Sequence, residues 1–182
     1  MKIQALFRSL LAFGTLASFV AATSPSSHAE NGVYSHKETR FGQLTTSDYG
    51  GSLPPNHLYL DGKESKPSAK GNNHLEISAI YQGHDNKDYA VLKSIGGEGC
   101  PSRYAIASVD ASGAHPTAFF GTCADAKSTT FDKETETFTI QMPLVRDRQE
   151  LNKIVKFKIH DGEITRDGAP QPSSCPATGC RG

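Results

Sequence analysis

The segment Gly96-Gly97-Glu98-Gly99-Cys100-Pro101-Ser102-Arg103-Tyr104 leads through an alternating run into the turn Asp110-Ala111-Ser112-Gly113. A second run follows and ends at Phe120-Gly121-Thr122-Cys123-Ala124-Asp125. Residues of an antiparallel hairpin face each other when they stand equally far from its turn. Cys100 and Cys123 are equidistant from the midpoint between Ala111 and Ser112. The turn that starts the hairpin therefore brings its two cysteines together, to within about one residue of register slip if Gly113 forms a bulge. The reading is a disulfide-clamped β-hairpin, with Tyr104 opposite Phe119 and Ile106 near Thr117. Cys175 and Cys180 are left to pair with each other.

Outward from the hairpin the hydrophobic period stays at two. Leu75, Ile77, Ala79 and Tyr81 fall on one face of a half-buried strand, and Tyr89, Val91 and Ile95 continue the pattern. Phe138, Ile140 and Met142 form another such run, and Val155, Phe157 and Ile159 alternate with Lys156, Lys158 and His160. Asp61-Gly62 and Asp161-Gly162 are hairpin turn signals. Only Leu144 to Asn152, charged at Arg146, Asp147, Arg148 and Glu150, is compatible with a helical turn or two. Seven or eight short strands and no ordinary helical run predict an all-β fold, an antiparallel sandwich or barrel. The expected organisation is a signal peptide over 1–29, a loose N-terminal arm over 30–55, the β domain over 56–168, and a mobile tail with a small disulfide loop over 169–182.

The first 29 residues place Lys2 and Arg8 around a short basic start, an apolar run from Leu10 to Ala22, and small residues at Ser27-His28-Ala29. That order predicts a cleaved signal peptide, with the mature chain starting at Glu30 and Val20-Ala21-Ala22 as a second cleavage point. The run is too short to span a bilayer, which needs roughly 20 apolar residues. Loss of Lys2 and Arg8 leaves two more acidic than basic side chains, a balance that argues against nucleic acid or anionic lipid as partner. Four cysteines suit an oxidising compartment, and they lack the Cys-x2-Cys knuckles of a zinc site. The expected location is periplasmic or secreted, with no membrane span.

Motifs for chemistry are sparse. Gly97, Glu98 and Gly99 could turn backbone amides toward an anion, with Arg103 as the nearby cation. No Lys-Ser/Thr and no helix follow, so the loop is not a P-loop. His84-Asp85-Asn86-Lys87-Asp88 could hold a divalent cation, although a turn uses the same residues for its own hydrogen bonds. The histidines show no His-Glu-x-x-His spacing, so neither a metal nor a cofactor is expected. Gly-x-Ser-x-Gly and Ser-x-x-Lys are absent from residues 30–182, and every cysteine has a partner, so no catalytic residue is nominated. A carboxylate pair of glycosidase type is a spatial feature and stays open.

The Gly-rich loop, Cys100-Pro101-Ser102-Arg103-Tyr104 and Phe120-Gly121-Thr122-Cys123 together resemble a signature of small secreted bacterial proteins of unassigned function. The resemblance spans about 30 residues, implies an exported location and supplies no catalytic residue. Cys175 to Cys180 is similar in its Cys-x4-Cys spacing to the loop that periplasmic lysozyme inhibitors insert into their target, without the His-containing centre. These readings lead to an exported, non-enzymatic binding or interaction protein of the cell envelope, with a protein or envelope component as partner. The alternatives are an inhibitor or immunity-type protein against an envelope hydrolase, and a hydrolase whose site is assembled from scattered residues.

Overall fold

A computed structural model describes residues 32–182 except Asp85 and Ala177, so the expected signal peptide lies outside the described residues. The strands are β1 (Val33–Thr39), β2 (Gly42–Ser47), β3 (Leu58–Leu60), β4 (Lys63–Glu64), β5 (Ala69–Lys70), β6 (His74–Gln82), β7 (Asp88–Ile95), β8 (Ser102–Asp110) and β9 (Gly113–Pro116), followed by β10 (Ser128–Asp132), β11 (Thr137–Arg146), β12 (Gln149–His160), β13 (Glu163–Arg166), β14 (Ala169–Gln171) and β15 (Cys180–Arg181). The fold is all-β, as expected, and among the described residues no helix is long and apolar enough to cross a membrane. Three antiparallel sheets run β1-β2-β3-β4, β6-β7-β8-β9 and β10-β11-β12-β13-β14, and β5 pairs with β15 in parallel.

The β6–β9 sheet is the middle layer. Along β7, Ala90 and Leu92 join a core with Leu44, Leu58 and Leu60 of the first sheet, whereas Tyr89 and Val91 join one with Phe138, Phe157 and Ile159 of the third. β8 divides in the same way, Ala105 and Ala107 to one side and Tyr104 and Ile106 to the other. Alternate side chains of a strand point to opposite faces, so a strand with both sets buried lies between two layers. The alternation of Leu75, Ile77, Ala79 and Tyr81 predicts one face throughout β6. A register shift between Ile77 and Ala79 instead sends Leu75 and Ile77 to the first core and Ala79 and Tyr81 to the second. One extra residue in a strand exchanges its faces.

The clamped hairpin is present: Asp110 pairs with Gly113, Val109 with Ala114, Ser108 with His115 and Ala107 with Pro116, and Cys100 is bonded to Cys123 across a Cα separation of 4.5 Å. The Thr117 amide donates to the Ile106 carbonyl at 2.9 Å, as that register requires. Beyond it the register slips by one. Tyr104 faces Phe120 and not Phe119, because Ala118 turns its amide out to the Ser173 carbonyl, at 2.8 Å.

Three other expectations are corrected. The described part of the expected loose arm over 30–55, residues 32–55, is not loose: β1 pairs with β2, β2 pairs with β3, and Leu44 is fully buried. The strands form there with few apolar residues because neighbouring strands and the middle sheet supply the partners. Leu144 to Asn152 is not helical but the tip of the β11–β12 hairpin, where Asp147 (φ 51°) and Arg148 (φ 66°) take the left-handed backbone of a type I′ turn. The alternating runs on either side hold the ladder and carry the charged tip with them. The tail from residue 169 is not loose either. β14 extends the third sheet, the Cys180 amide donates to the Ser68 carbonyl at 2.7 Å, and Cys180, disulfide-bonded to Cys175, is buried.

Candidate functional site

The Gly-rich loop and Arg103 are held in different places. Gly96 (φ 103°) and Gly97 (φ 102°) adopt backbone that side-chain-bearing residues rarely take, and a Cβ on Gly97 would lie 2.3 Å from the Asn72 side-chain nitrogen. That nitrogen donates to the Gly96 carbonyl at 2.9 Å, and the Gly96 amide donates to the Pro101 carbonyl at 3.0 Å. These glycines thus seat the loop against an asparagine while Glu98 and Gly99 stand exposed.

Arg103 instead lines a cavity of about 420 Å³ that Gly97, Glu98 and Gly99 do not enter. Two further arginines line the same cavity, Arg166 from the end of β13 and Arg181 from β15. Gln171, Ser174 and Thr178 add polar groups, and Phe119, Phe120 and Phe157 form the apolar base. No aspartate or glutamate is among the lining residues. None of the three arginines makes an ion pair with a carboxylate among the described residues. Arg103 sits on β8 with one Nη donating to the Phe119 carbonyl, which anchors it with one of its five N–H donors. Burial pulls its guanidinium below its ordinary pKa.

The rest of the wall comes from the tail. Pro176, Thr178 and Gly179 of the Cys175–Cys180 loop line the cavity, and Gly179 (φ 95°) is pressed so close that a Cβ would come within 2.8 Å of the Ser68 carbonyl. The small disulfide loop is therefore docked along a pocket and does not stand free as an inserting loop would.

Two clusters combine serine, histidine and a carboxylate. His115 Nε2 lies 2.8 Å from Ser112 Oγ, but His115 Nδ1 faces the Lys66 carbonyl at 3.0 Å, and Asp110 accepts from Ser112 Oγ at 2.5 Å. A hydrolytic triad puts the carboxylate on the histidine nitrogen remote from the serine. Here the carboxylate takes the serine proton for a turn. At His57, Glu64 (2.7 Å) and Ser68 (3.2 Å) crowd the same Nδ1, so no relay runs through the ring.

Glu64 and Asp61 share a second cavity, of about 480 Å³, which is the kind of place a glycosidase pair would occupy. Hydrogen bonds from Ser68 and then His57 hold the Glu64 carboxyl below its usual range. A general acid needs the opposite shift. Asp61 is committed as well, accepting the Gln43 amide at 2.8 Å.

The acceptors around His84 to Asp88 hold an arginine. Arg40 Nη2 reaches the carbonyls of Gly83, His84 and Lys87 at 3.2, 2.8 and 2.6 Å, and its Nε pairs with Asp88 at 2.7 Å. No three metal-ligating side chains gather among the described residues. Arg40, Arg166 and Arg181 escaped the sequence reading because no local motif marks them and each meets its partners through tertiary folding. The two disulfides fit an oxidising, extracellular type of compartment. Comparison with known protein families, with curated proteins and with solved structures finds no match.

Proposed function

We propose that this chain is an exported binding protein and that the pocket of Arg103, Arg166 and Arg181 is its ligand seat, built for an anion. The observation that carries the reading is the gathering of three guanidiniums, without one lining carboxylate, on a chain whose overall charge is balanced. Like charges in a partly desolvated cavity repel, so the cluster raises the energy of the empty pocket and favours an occupant of opposite sign. Guanidinium forks match the oxygens of carboxylate, sulfate or phosphate, and such charge-assisted hydrogen bonds exceed neutral ones in strength. Neither Ser/His/carboxylate cluster has the geometry of a hydrolytic relay, which leaves binding as the better-supported activity.

Thermal unfolding in sodium sulfate against sodium chloride at equal ionic strength tests this reading, with sulfate as the probe. Sulfate is expected to raise the midpoint of the wild type by several degrees, since a ligand of the native state stabilises it by mass action. Arg166→Gln together with Arg181→Gln is expected to remove that rise. An equal sulfate response in wild type and double variant would refute the assignment of the pocket.

A further inference from the structure

We infer that the occupant is a small molecule carrying two or more oxyanion groups, phosphate or carboxylate, bridging Arg103 to Arg166 and Arg181. The inference rests on the anion-binding reading above and narrows it to a ligand class. Its first support is volume. A single tetrahedral oxyanion takes the room of two or three waters at roughly 30 Å³ each, about a fifth or less of the 420 Å³ cavity. The second support is charge. One monoanion offsets one of the three lining positive charges and leaves two without a counter-charge in the cavity.

The third support is the origin of the arginines. They come from three chain segments, β8, the end of β13 and β15, so the three positions around the cavity belong to separate elements of the fold. Arg103 is anchored through the Phe119 carbonyl, half-buried at the base of the site. Arg181 is exposed on β15 and sits where the closed Cys175–Cys180 loop delivers it. A ligand with linked oxyanions can satisfy the anchored arginine and an outer one together. Binding of the second group is then intramolecular, and affinity rises without any new kind of contact. Gln171, Ser174 and Thr178 supply hydrogen bonds for the neutral part of such a molecule.

Titration calorimetry on the oxidised protein, at constant ionic strength, compares pyrophosphate and citrate with inorganic phosphate and acetate. At least one multivalent probe is expected to bind about 10-fold more tightly than its monomeric counterpart, a difference of one decade in Kd. Preference for pyrophosphate identifies a phosphorylated ligand, and preference for citrate a polycarboxylate. Arg166→Gln and Arg181→Gln should each weaken the preferred probe by about 10-fold, and Arg→Lys, which keeps the charge and loses the fork, by less. Arg181 is exposed on the last strand, so Arg181→Gln separates ligand loss from unfolding: its melting point without ligand is expected to match wild type. Equal affinity for pyrophosphate and phosphate, and for citrate and acetate, would overturn the multivalent class while leaving a simple anion site. Absence of the sulfate response would instead overturn the underlying reading.

Discussion

The two faces of the middle sheet are made of different materials. Toward the β1–β4 sheet, β7, β8 and β9 present Ala90, Ala105, Ala107 and Ala114 with Leu92 and Val109, and leucines cover them. Toward the β10–β14 sheet they present Tyr89, Val91, Tyr104 and Ile106, which meet Phe138, Phe157 and Phe120. Small residues on a face let the opposing layer approach closely, and a leucine layer fills the gap without aromatic bulk. On the other face the rings pack edge to face or tilted: Phe138 meets Tyr81 at 5.3 Å and Phe131 at 4.6 Å, and Phe120 meets Phe157 at 5.1 Å. Such pairs add to simple area burial. One sheet thus serves two cores with opposite tolerances, the alanine face sensitive to added volume and the aromatic face to lost volume.

The sharpest way to break this contrast is Phe138→Ala. Phe138 is 1 % exposed and touches three aromatic rings, so truncation should cost about 3 to 5 kcal/mol in denaturant unfolding. A cost below about 1 kcal/mol would mean that this core collapses around the cavity and that the faces do not differ in kind.

The reciprocal change is Ala105→Leu on the opposite face, at a residue with no exposed surface. Overpacking there is expected to destabilise by about 1 to 3 kcal/mol. A gain in stability would show unfilled space between the middle sheet and the leucine layer.

The smallest effect concerns the polar rim of the aromatic core. Tyr89 donates its hydroxyl to Glu136 at 2.8 Å, and the His84 amide donates to the same carboxylate at 2.7 Å. Burial pulls the Glu136 pKa upward, but those hydrogen bonds, with the nearby charges of His84 and Lys87, outweigh it and hold the group below its ordinary value. Burial, and then the bond to Glu136, raise the Tyr89 pKa. A carboxylate with a depressed folded-state pKa contributes stability above its unfolded pKa and loses that contribution as pH falls through the folded one. Unfolding measured from pH 7 down through the ordinary glutamate range, about 4.3, should therefore show a smaller acid loss in Glu136→Gln than in wild type. Superimposable pH profiles would remove Glu136 from the account of this rim.

How much of this was legible follows from the range of each interaction. The Cys100–Cys123 pairing could be read because turn and register are counted along one hairpin; the slip that sets Tyr104 against Phe120 could not, since it answers to Ser173, far along the chain. Burial on both faces does have a signal in the sequence. Tyr89-Ala90-Val91-Leu92 and Tyr104-Ala105-Ile106-Ala107 are near-continuous apolar runs, the pattern of a strand covered on both sides. Arg103 is near the glycines in sequence, and the structure seats it with other partners.

By itself the sequence determined the all-β class, the alternating runs of β6, β7, β11 and β12, the Asp-Gly turns at 61–62 and 161–162 and both disulfides, because alternation, left-handed turn residues and cysteine spacing act over a few residues or one hairpin. Tertiary structure alone decided the third layer, the docking of the tail and the placing of Arg103, Arg166 and Arg181 around one cavity. Those depend on which sheet covers which face and on where β15 finds β5, and contacts between residues so far apart in the chain leave no period or spacing in it.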